Sequence, residues 1–313
     1  MTRYAVLHHR LIVITLFCNL FFGNAHGGDR PSADFPCTAN GETADDVITV
    51  RTTLAGVPAI LRVPKAIRKV PIVLWHGLGP PASEGELMKA LPLDDVPSVK
   101  VYLGLPLSGA RAPSDDAESL AHRQAEDYAL RLFKPVVVGA AAELRAVLRT
   151  LREEKCLGPN DRIGLFGFSA GGAAVLTALT DPGMPVRAAI TVNAPTGLSI
   201  AIDAVERATK RQYVWTDSAR QLAERSDSVR HVAEIASGDP PRALLLFHGA
   251  DDTVVAPVGA VSLRDALLPY YQRSGNERRL KLVIAPGVSH NWTEPRPLEE
   301  LRTSVADWFN RYL

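Results

Sequence analysis

The sequence predicts an α/β protein whose mostly parallel central sheet is covered by helices on both faces. Two observations support this. Apolar, strand-like segments alternate with amphipathic helical segments along most of the 313 residues, and several of those strands run directly into glycine turns. Charges almost cancel, with a formal net charge of +1, so the chain lacks the basic character of a nucleic-acid-binding protein. Its length can hold one large domain or two smaller ones.

The first 25 residues are typical of a secretory signal peptide. Arg3 and Arg10 flank a short basic start, the uncharged apolar run LIVITLFCNLFF follows, and small residues lead to an expected cleavage after Ala25. The run is short for a membrane span, which needs about 20 residues. We therefore expect an exported protein, periplasmic or secreted, with an uncleaved membrane anchor as the alternative.

An N-terminal arm is predicted to precede the folded domain. Residues 26–45 are polar and contain proline and glycine, whereas residues 46–313 carry the alternating elements. After removal of the signal, Cys37 in the arm and Cys156 are the remaining cysteines. Two cysteines of an exported protein can form one disulfide. We favour this bridge, which would tie the arm to the domain, over two unpaired buried thiols.

The first elements of the domain are a predicted hairpin and a buried strand. DVITVRTTLAG and VPAILRVP alternate in polarity around Ala55-Gly56, which is a hairpin signal, and the pair is expected at one edge of the sheet. VPIVLWHG is a continuous apolar run ending in glycine, as expected of a strand buried on both faces. GELMKAL then predicts a short helix, VKVYLGLP a strand, and residues 117–154 a helical region.

The second half of the chain continues the alternation. In chain order it predicts the strand RIGLFGF, a helix over residues 169–180, the strands VRAAITVNAP and RALLLFHG, the helix PVGAVSLRDALLPYYQ, the strand LKLVIAPG and the closing helix LEELRTSVADWFNRYL. One long insertion, around residues 196–241, separates two consecutive strands and has helical periodicity. We interpret it as a short helical cap over the carboxyl edge of the sheet, where open α/β sheets bind ligands.

A serine flanked by glycines joins the strand RIGLFGF to the helix after it. Gly167-Phe168-Ser169-Ala170-Gly171 fits the pattern G-x-S-x-G. Between a strand and a helix, this pattern predicts a strained turn that lifts the serine hydroxyl above the sheet, with glycines where side chains would collide. A phosphate-binding turn is the alternative, but the G-x-G-x-x-G and P-loop spacings are both missing here. Ser169 is therefore the candidate nucleophile.

A serine nucleophile needs a base, and the base needs a group that orients it. In the chain order serine, acid, histidine, His290 qualifies as the base, because its loop APGVSHNW follows the last predicted strand and can fold back over the serine. His248, in FHGADDTVV, is interpreted as a buried residue that supports its own turn. The acid should follow the penultimate strand, where Asp251 and Asp252 both qualify.

Two backbone N–H groups are candidates for binding the oxyanion of a tetrahedral intermediate. One belongs to Ala170, directly after the nucleophile. The other comes from the loop LWHGLGPP after the early buried strand, with Leu78 as first choice and Gly79 as second. The sequence contains no dinucleotide fingerprint and no H-E-x-x-H pattern, and the mature chain has too few cysteines for a thiolate site, so no cofactor or metal is expected.

These residues together resemble the α/β-hydrolase fold over about residues 47–313, most closely the dienelactone-hydrolase-like and prolyl-oligopeptidase-like esterases and peptidases. The resemblance is carried by HGLG, LPLSGAR, GFSAGG, DPPRALLLFHGADDTVV and PGVSHNW. It includes the H-G-x-x-D-x-x-V turn, which assigns the acid to Asp252. It implies a serine–histidine–aspartate mechanism without a cofactor, acting on carboxylic esters, thioesters or amides.

Two departures from these relatives favour an ester substrate. Dienelactone hydrolases proper use cysteine where this chain has Ser169, and oligopeptidases usually carry a large N-terminal propeller for which residues 26–45 leave no room. We therefore expect a serine hydrolase that cleaves small-molecule carboxylic esters. A peptidase using the same catalytic groups and a non-catalytic binding protein of the same fold are the alternatives.

Overall fold

A computed structural model of the chain describes Cys37, residues 47–114 and residues 119–313. The predicted signal peptide and most of the predicted arm lie outside these residues. Within them, eight strands form one sheet: β1 (Val47–Leu54), β2 (Val57–Pro64), β3 (Lys69–Trp75), β4 (Ser98–Leu103), β5 (Ile163–Phe168), β6 (Val186–Val192), β7 (Ala243–Gly249) and β8 (Leu280–Ala285). Their order across the sheet is β1-β2-β4-β3-β5-β6-β7-β8.

The sheet is mostly parallel, with one antiparallel edge. β1 pairs antiparallel with β2, β2 pairs antiparallel with β4, and the remaining neighbours are parallel. The hairpin turns at Ala55 and Gly56, which both have positive φ angles of 49° and 83°. A two-residue turn of this hand matches the right-handed twist of the flanking strands. The predicted edge hairpin and parallel sheet are therefore confirmed.

Helices cover both faces of this sheet. They are α1 (Glu84–Ala90), α2 (Leu120–Asp127), α3 (Gly139–Glu153), α4 (Ala170–Leu179), α5 (Leu198–Thr209), α6 (Asp217–Ser226), α7 (Val232–Ile235), α8 (Val258–Arg273) and α9 (Pro295–Tyr312). Successive residues of a strand point to opposite faces. Accordingly, Val73 and Trp75 pack in a core that includes α3 and α4, whereas Ile72 and Leu74 pack in a second core that includes α1 and α9.

Residues Tyr128–Val138, between α2 and α3, form a π-helix that contains Pro135. Proline lacks a backbone N–H and removes a hydrogen bond from any helix interior, so this segment departs from regular α-helical bonding. The sequence predicted a helical region over residues 117–154 but not its π-helical middle. Apolar residues at a 3.6-residue period indicate a helix. They do not reveal where the helix widens locally into π-helical turns.

The insertion interpreted as a cap, residues 196–241, contains α5, α6 and α7 between β6 and β7. Its two aromatic residues pack against each other, with the rings of Tyr213 and Trp215 edge to face at 5.2 Å. The Tyr213 hydroxyl donates a hydrogen bond of 2.6 Å to Asp127, the last residue of α2. The insertion is thereby connected to the helix that leads into the π-helix.

Cys37 and Cys156 form a disulfide that spans 119 positions of the chain. The structure thus contains the bridge that the sequence favoured. It attaches Cys37 to Cys156, which lies shortly after the end of α3. Across the described ranges, none of the helices combines the length and apolar character that a membrane crossing requires.

Candidate active site

Ser169 occupies a strained turn between β5 and α4. Its φ and ψ angles are 51° and −117°, in a region that residues with a side chain rarely adopt. A Cβ atom at Gly167 would collide with the backbone of Gly171, and one at Gly171 would lie 2.6 Å from the carbonyl oxygen of Trp75. Only glycine fits these two positions, so the tight turn that raises the serine depends on the glycines of the G-x-S-x-G pattern.

His290 lies between Ser169 and Asp252. Its Nε2 atom is 3.1 Å from the Oγ of Ser169, and its Nδ1 atom is 2.8 Å from Oδ2 of Asp252. If Nδ1 carries the proton and donates it to the carboxylate, Nε2 is left to accept the serine proton. Asp252 is 5 % exposed, whereas Asp251 is exposed to solvent. The structure therefore brings the predicted nucleophile, base and acid together from the loops that follow β5, β8 and β7.

The Asp252 carboxylate is hydrogen-bonded on both oxygens. Oδ1 accepts from the backbone N–H groups of Val254 and Val255 at 2.9 and 2.8 Å. Burial raises the pKa of this carboxyl, but hydrogen bonds from His248 and His290 more than offset the effect and lower the pKa to about 2. Asp252 is therefore ionised throughout the range in which an imidazole can act as a base.

His248 is buried, as expected of a residue that supports its turn. Its Nε2 atom lies 2.8 Å from the carbonyl oxygen of Val255 and 3.3 Å from Oδ2 of Asp252. The carbonyl can only accept a hydrogen bond, so Nε2 carries a proton. His248 thus holds the loop after β7 and also contacts the acid directly, a contact that the sequence did not predict.

Asn193 contacts the loop that carries His290, and the sequence did not single it out. It is fully buried, and its Nδ2 donates to the carbonyl oxygens of Ser289 and His290, both at 3.0 Å. Its Oδ1 accepts from the backbone N–H of Gly249 at 2.8 Å. One side chain thereby ties the base loop to the end of β7. In the sequence, the only indication of this role is an amide side chain directly after the apolar strand VRAAITV, at the predicted carboxyl edge of the sheet.

Aromatic packing also fixes the loop that carries His290. The ring centroid of Phe168 lies 5.3 Å from that of His290 and 5.5 Å from that of Trp292, the latter edge to face. Phe168 and Trp292 are both buried. The residue preceding the serine therefore packs beneath the base, which limits the directions that the imidazole ring can take.

The candidate oxyanion donors border the same cavity as Ser169. β3 lies beside β5, with Trp75 opposite Gly167, so the loop after β3 comes close to the serine turn. Leu78, Ser169 and Ala170 all line a cavity of about 220 Å³. Ala170 is the first residue of α4, where the helix itself leaves the backbone N–H without a partner.

In the part of the chain that the structure describes, no group of three or more histidine, cysteine, aspartate or glutamate side chains is arranged to hold a metal ion.

Residues 138–313, more than half of the chain, match the family model of the prolyl oligopeptidase family. The chain belongs to the prolyl oligopeptidase family. This confirms the resemblance predicted from the sequence, and it makes the protein a serine hydrolase of the α/β-hydrolase fold. No curated protein sequence matches the chain significantly.

Solved structures with the same fold include both esterases and peptidases. TT1662 from Thermus thermophilus is 20% identical, with a TM-score of 0.61 over 84% of this chain and 98% of that one. An esterase of the bacterial hormone-sensitive lipase family is 18% identical, with a TM-score of 0.53 over 86% and 85%. Dipeptidyl peptidase 4 from Porphyromonas gingivalis is 13% identical, with a TM-score of 0.58 over 85% of this chain but 35% of its own. At these identities the similarity establishes the fold alone.

Proposed function

We propose that this member of the prolyl oligopeptidase family is an exported esterase that cleaves small-molecule carboxylic esters through Ser169, His290 and Asp252. The observation that carries the proposal is the pair of contacts through one imidazole, 3.1 Å to the serine oxygen and 2.8 Å to the carboxylate. These are the distances at which a base can take a proton from a nucleophile while a third group orients it.

In the first half of the proposed reaction, Ser169 Oγ attacks the acyl carbon and its proton passes to Nε2 of His290. The ionised Asp252 stabilises the imidazolium that forms. The backbone N–H groups of Ala170 and Leu78 hold the oxygen that becomes negatively charged. His290 then gives its proton to the leaving alcohol, and the acyl group stays on the serine as an ester.

In the second half, water takes the place of the alcohol. His290 accepts a proton from the water as it attacks the acyl-enzyme, and the same N–H groups bind the second oxyanion. The proton returns to Ser169 Oγ as the carboxylic acid leaves, which restores the free enzyme. With the ester and one water molecule as reactants, the groups of the chain are enough to balance both steps.

The lining of the cavity beside Ser169 supports an ester over a peptide substrate. Among the described residues that line it, none is charged. A buried ammonium group needs a charged or hydrogen-bonded partner, so the free amino end of a peptide would be poorly bound there. A peptidase is the second candidate function. The observation in its favour is the match to the prolyl oligopeptidase family.

Two features support export as part of the proposal. The first 25 residues have the basic start, apolar run and small residues of a secretory signal. The disulfide between Cys37 and Cys156 is of a kind that persists in oxidising compartments outside the cytosol. The N-terminal residue of the protein recovered from outside the cytoplasm would test the expected cleavage after Ala25.

The catalytic proposal is tested with Ser169→Ala and with the exposed Ser262→Ala as the matched control. We expect Ser169→Ala to stay folded by circular dichroism while losing at least about a thousandfold in p-nitrophenyl butyrate hydrolysis. A fluorophosphonate probe should label the wild type and Ser262→Ala but not Ser169→Ala. Amides that carry the same acyl group, turned over as fast as the esters, would identify a peptidase instead.

A further inference from the structure

The cavity beside Ser169 lies on the acyl side of the proposed reaction. Its lining, within the described residues, includes Leu78, Ser169 and Ala170 but not His290. The leaving oxygen must lie next to Nε2 of His290 to receive its proton. The acyl carbon is bound to Ser169 Oγ, with its oxygen at the candidate N–H donors. The cavity is therefore available to the rest of the acyl group, and the alcohol lies outside it.

Two helical segments form the walls of this cavity. Leu132, Phe133 and Val136 come from the π-helix, whose wider turns are common at functional sites. Ala204 and Ala208 come from α5, on the face that also carries Ala201 and Val205 at helical spacing. Because the α5 side chains that face the π-helix are mostly methyl groups, the space between the two helices remains open.

The cavity is electrically neutral. Its lining contains the hydroxyl of Tyr128 and the amide of Gln124 besides Ser169, and its other members are apolar. Burial raises the pKa of Tyr128, so its hydroxyl stays uncharged at any physiological pH. A charged acyl group would lose its hydration here without gaining a partner of opposite charge, which disfavours its binding.

The volume of the cavity limits the size of the acyl group. It measures about 220 Å³. An apolar cavity of about 150 Å³ binds benzene, so a cavity of this size admits a group of roughly eight non-hydrogen atoms. Ala204 is half-buried and Ala208 is exposed, which places Ala208 nearer the opening.

We propose that this cavity is an acyl-binding pocket that selects uncharged aliphatic acyl groups of roughly four to eight carbons, as its volume allows. Ala204 and Ala208 set the length of the pocket. This inference rests on the proposed esterase function. It specifies the substrate class: esters of medium-chain or branched carboxylic acids, with little restriction on the alcohol from this cavity. Larger side chains at the two alanines should fill the pocket and shorten the acyl groups accepted.

The test is a series of p-nitrophenyl esters from acetate to laurate, together with the ester of 6-aminohexanoate. We expect kcat/KM to be highest between butyrate and octanoate, at least tenfold above acetate and laurate. The 6-aminohexanoate ester, which differs from hexanoate by one ammonium group, should be at least a hundredfold poorer. Ala204→Phe should reduce hexanoate hydrolysis at least tenfold and change acetate hydrolysis less than threefold.

Two further variants make the result specific. Ala208→Phe, at the opening, should reduce octanoate hydrolysis more than butyrate hydrolysis. This variant also tests the inference if Ala204→Phe does not fold. Asp203→Phe, on an exposed face of the same helix, is the matched control and should leave the profile unchanged. A flat chain-length profile, or one unchanged by both alanine variants, would overturn this inference alone. Failure to hydrolyse any ester, with Ser169 unreactive to the probe, would overturn the proposed function as well.

Discussion

Nε2 of His248 lies 3.3 Å from Oδ2 of Asp252, the same oxygen that Nδ1 of His290 contacts at 2.8 Å. The proposed acid is thus held between two imidazoles, one on its own loop and one on the loop after β8. A hydrogen bond donated to a carboxylate stabilises its negative charge and reduces the effect of that charge on other neighbours. His248 therefore influences how strongly Asp252 can stabilise a protonated His290, although it does not reach the serine.

His248→Leu should move the acidic limb of the pH–rate profile to higher pH and lower kcat/KM about tenfold or more at the pH values of that limb. The leucine fills the space but donates no hydrogen bond, so the Asp252 charge acts more fully on His290. His248→Gln, whose amide can reach the position of Nε2, should restore most of the activity and the original profile. A loss of activity that is equal at every pH would indicate a purely structural role.

The stabilising effect of Asp252 should disappear in acid. Its pKa of about 2 lies below the ordinary 3.8, so between these pH values the unfolded chain binds more protons than the folded one. The free energy of unfolding therefore falls as the pH falls through this interval, by about 2 kcal/mol from this residue.

Urea unfolding of the wild type and Asp252→Asn at pH 6 and pH 2.5 measures this contribution. The stability difference between the two proteins should shrink by most of that amount in acid. Ser169→Ala removes no titrating group involved here and should keep the wild-type pH dependence. An equal difference at both pH values would show that the low pKa of Asp252 does not contribute to folding.

Asn193→Ala should lower kcat at least tenfold and change KM less than threefold. The alanine removes three hydrogen bonds, each contributing about 1 kcal/mol, that hold the base loop against the end of β7. The substrate pocket is formed elsewhere, so binding should be little affected. Asn310→Ala, an exposed amide that donates to Asp95, is the control and should be active. An unchanged kcat in Asn193→Ala would refute the positioning role.

Arg242→Met should destabilise the fold by about 3 kcal/mol or more. Arg242 is buried and donates to five backbone carbonyl oxygens, those of Leu179, Asp181, Pro182, Met184 and Glu234. Burial lowers its pKa to about 10, so it remains charged at neutral pH. Methionine would leave those acceptors buried without donors.

Arg62→Met is the matched control for this change. Arg62 pairs with the half-exposed Asp94 at the surface, and such pairs contribute about 1 kcal/mol or less. Denaturant unfolding of both variants should therefore separate them clearly. Equal losses would mean that the carbonyl contacts of Arg242 are dispensable.

Cys156→Ser should lower the free energy of unfolding by about 2–4 kcal/mol, because the disulfide restricts the unfolded chain over 119 positions. Reduction of the wild type should have the same effect, and reduction of the variant should have none. Thiol titration of the unfolded, unreduced protein checks that the bridge is present. Free Cys37 and Cys156 thiols in the protein as isolated from an oxidising compartment would contradict it.

The sequence was sufficient to predict the elements of the sheet and to select the serine, histidine and aspartate that the structure brings together. Runs such as VPIVLWHG and RIGLFGF are typical of strands buried between layers of helices, and G-x-S-x-G between a strand and a helix predicts a strained serine turn. His290 could be selected because it follows the last strand. These predictions could be made from the sequence because each depends on a pattern within a few neighbouring residues.

Other features became visible only with the fold. Asn193 has no neighbour in the sequence that explains it, since its partners Gly249, Ser289 and His290 lie more than 50 positions away. The π-helix was predicted only as a helical region. His248 and Asp252 are four positions apart in the chain, and their contact depends on the conformation of the loop between them.

The sequence by itself determined the layered α/β architecture, the strained serine turn and the residue types that could serve as base and acid, because local spacing and burial pattern specify these. Only the tertiary structure decided which loops meet at the carboxyl edge of the sheet, and therefore which carboxylate reaches His290 and where a neutral cavity opens beside Ser169. Those contacts join residues far apart in the chain, and their distances follow from strand order and packing, which no short stretch of sequence records.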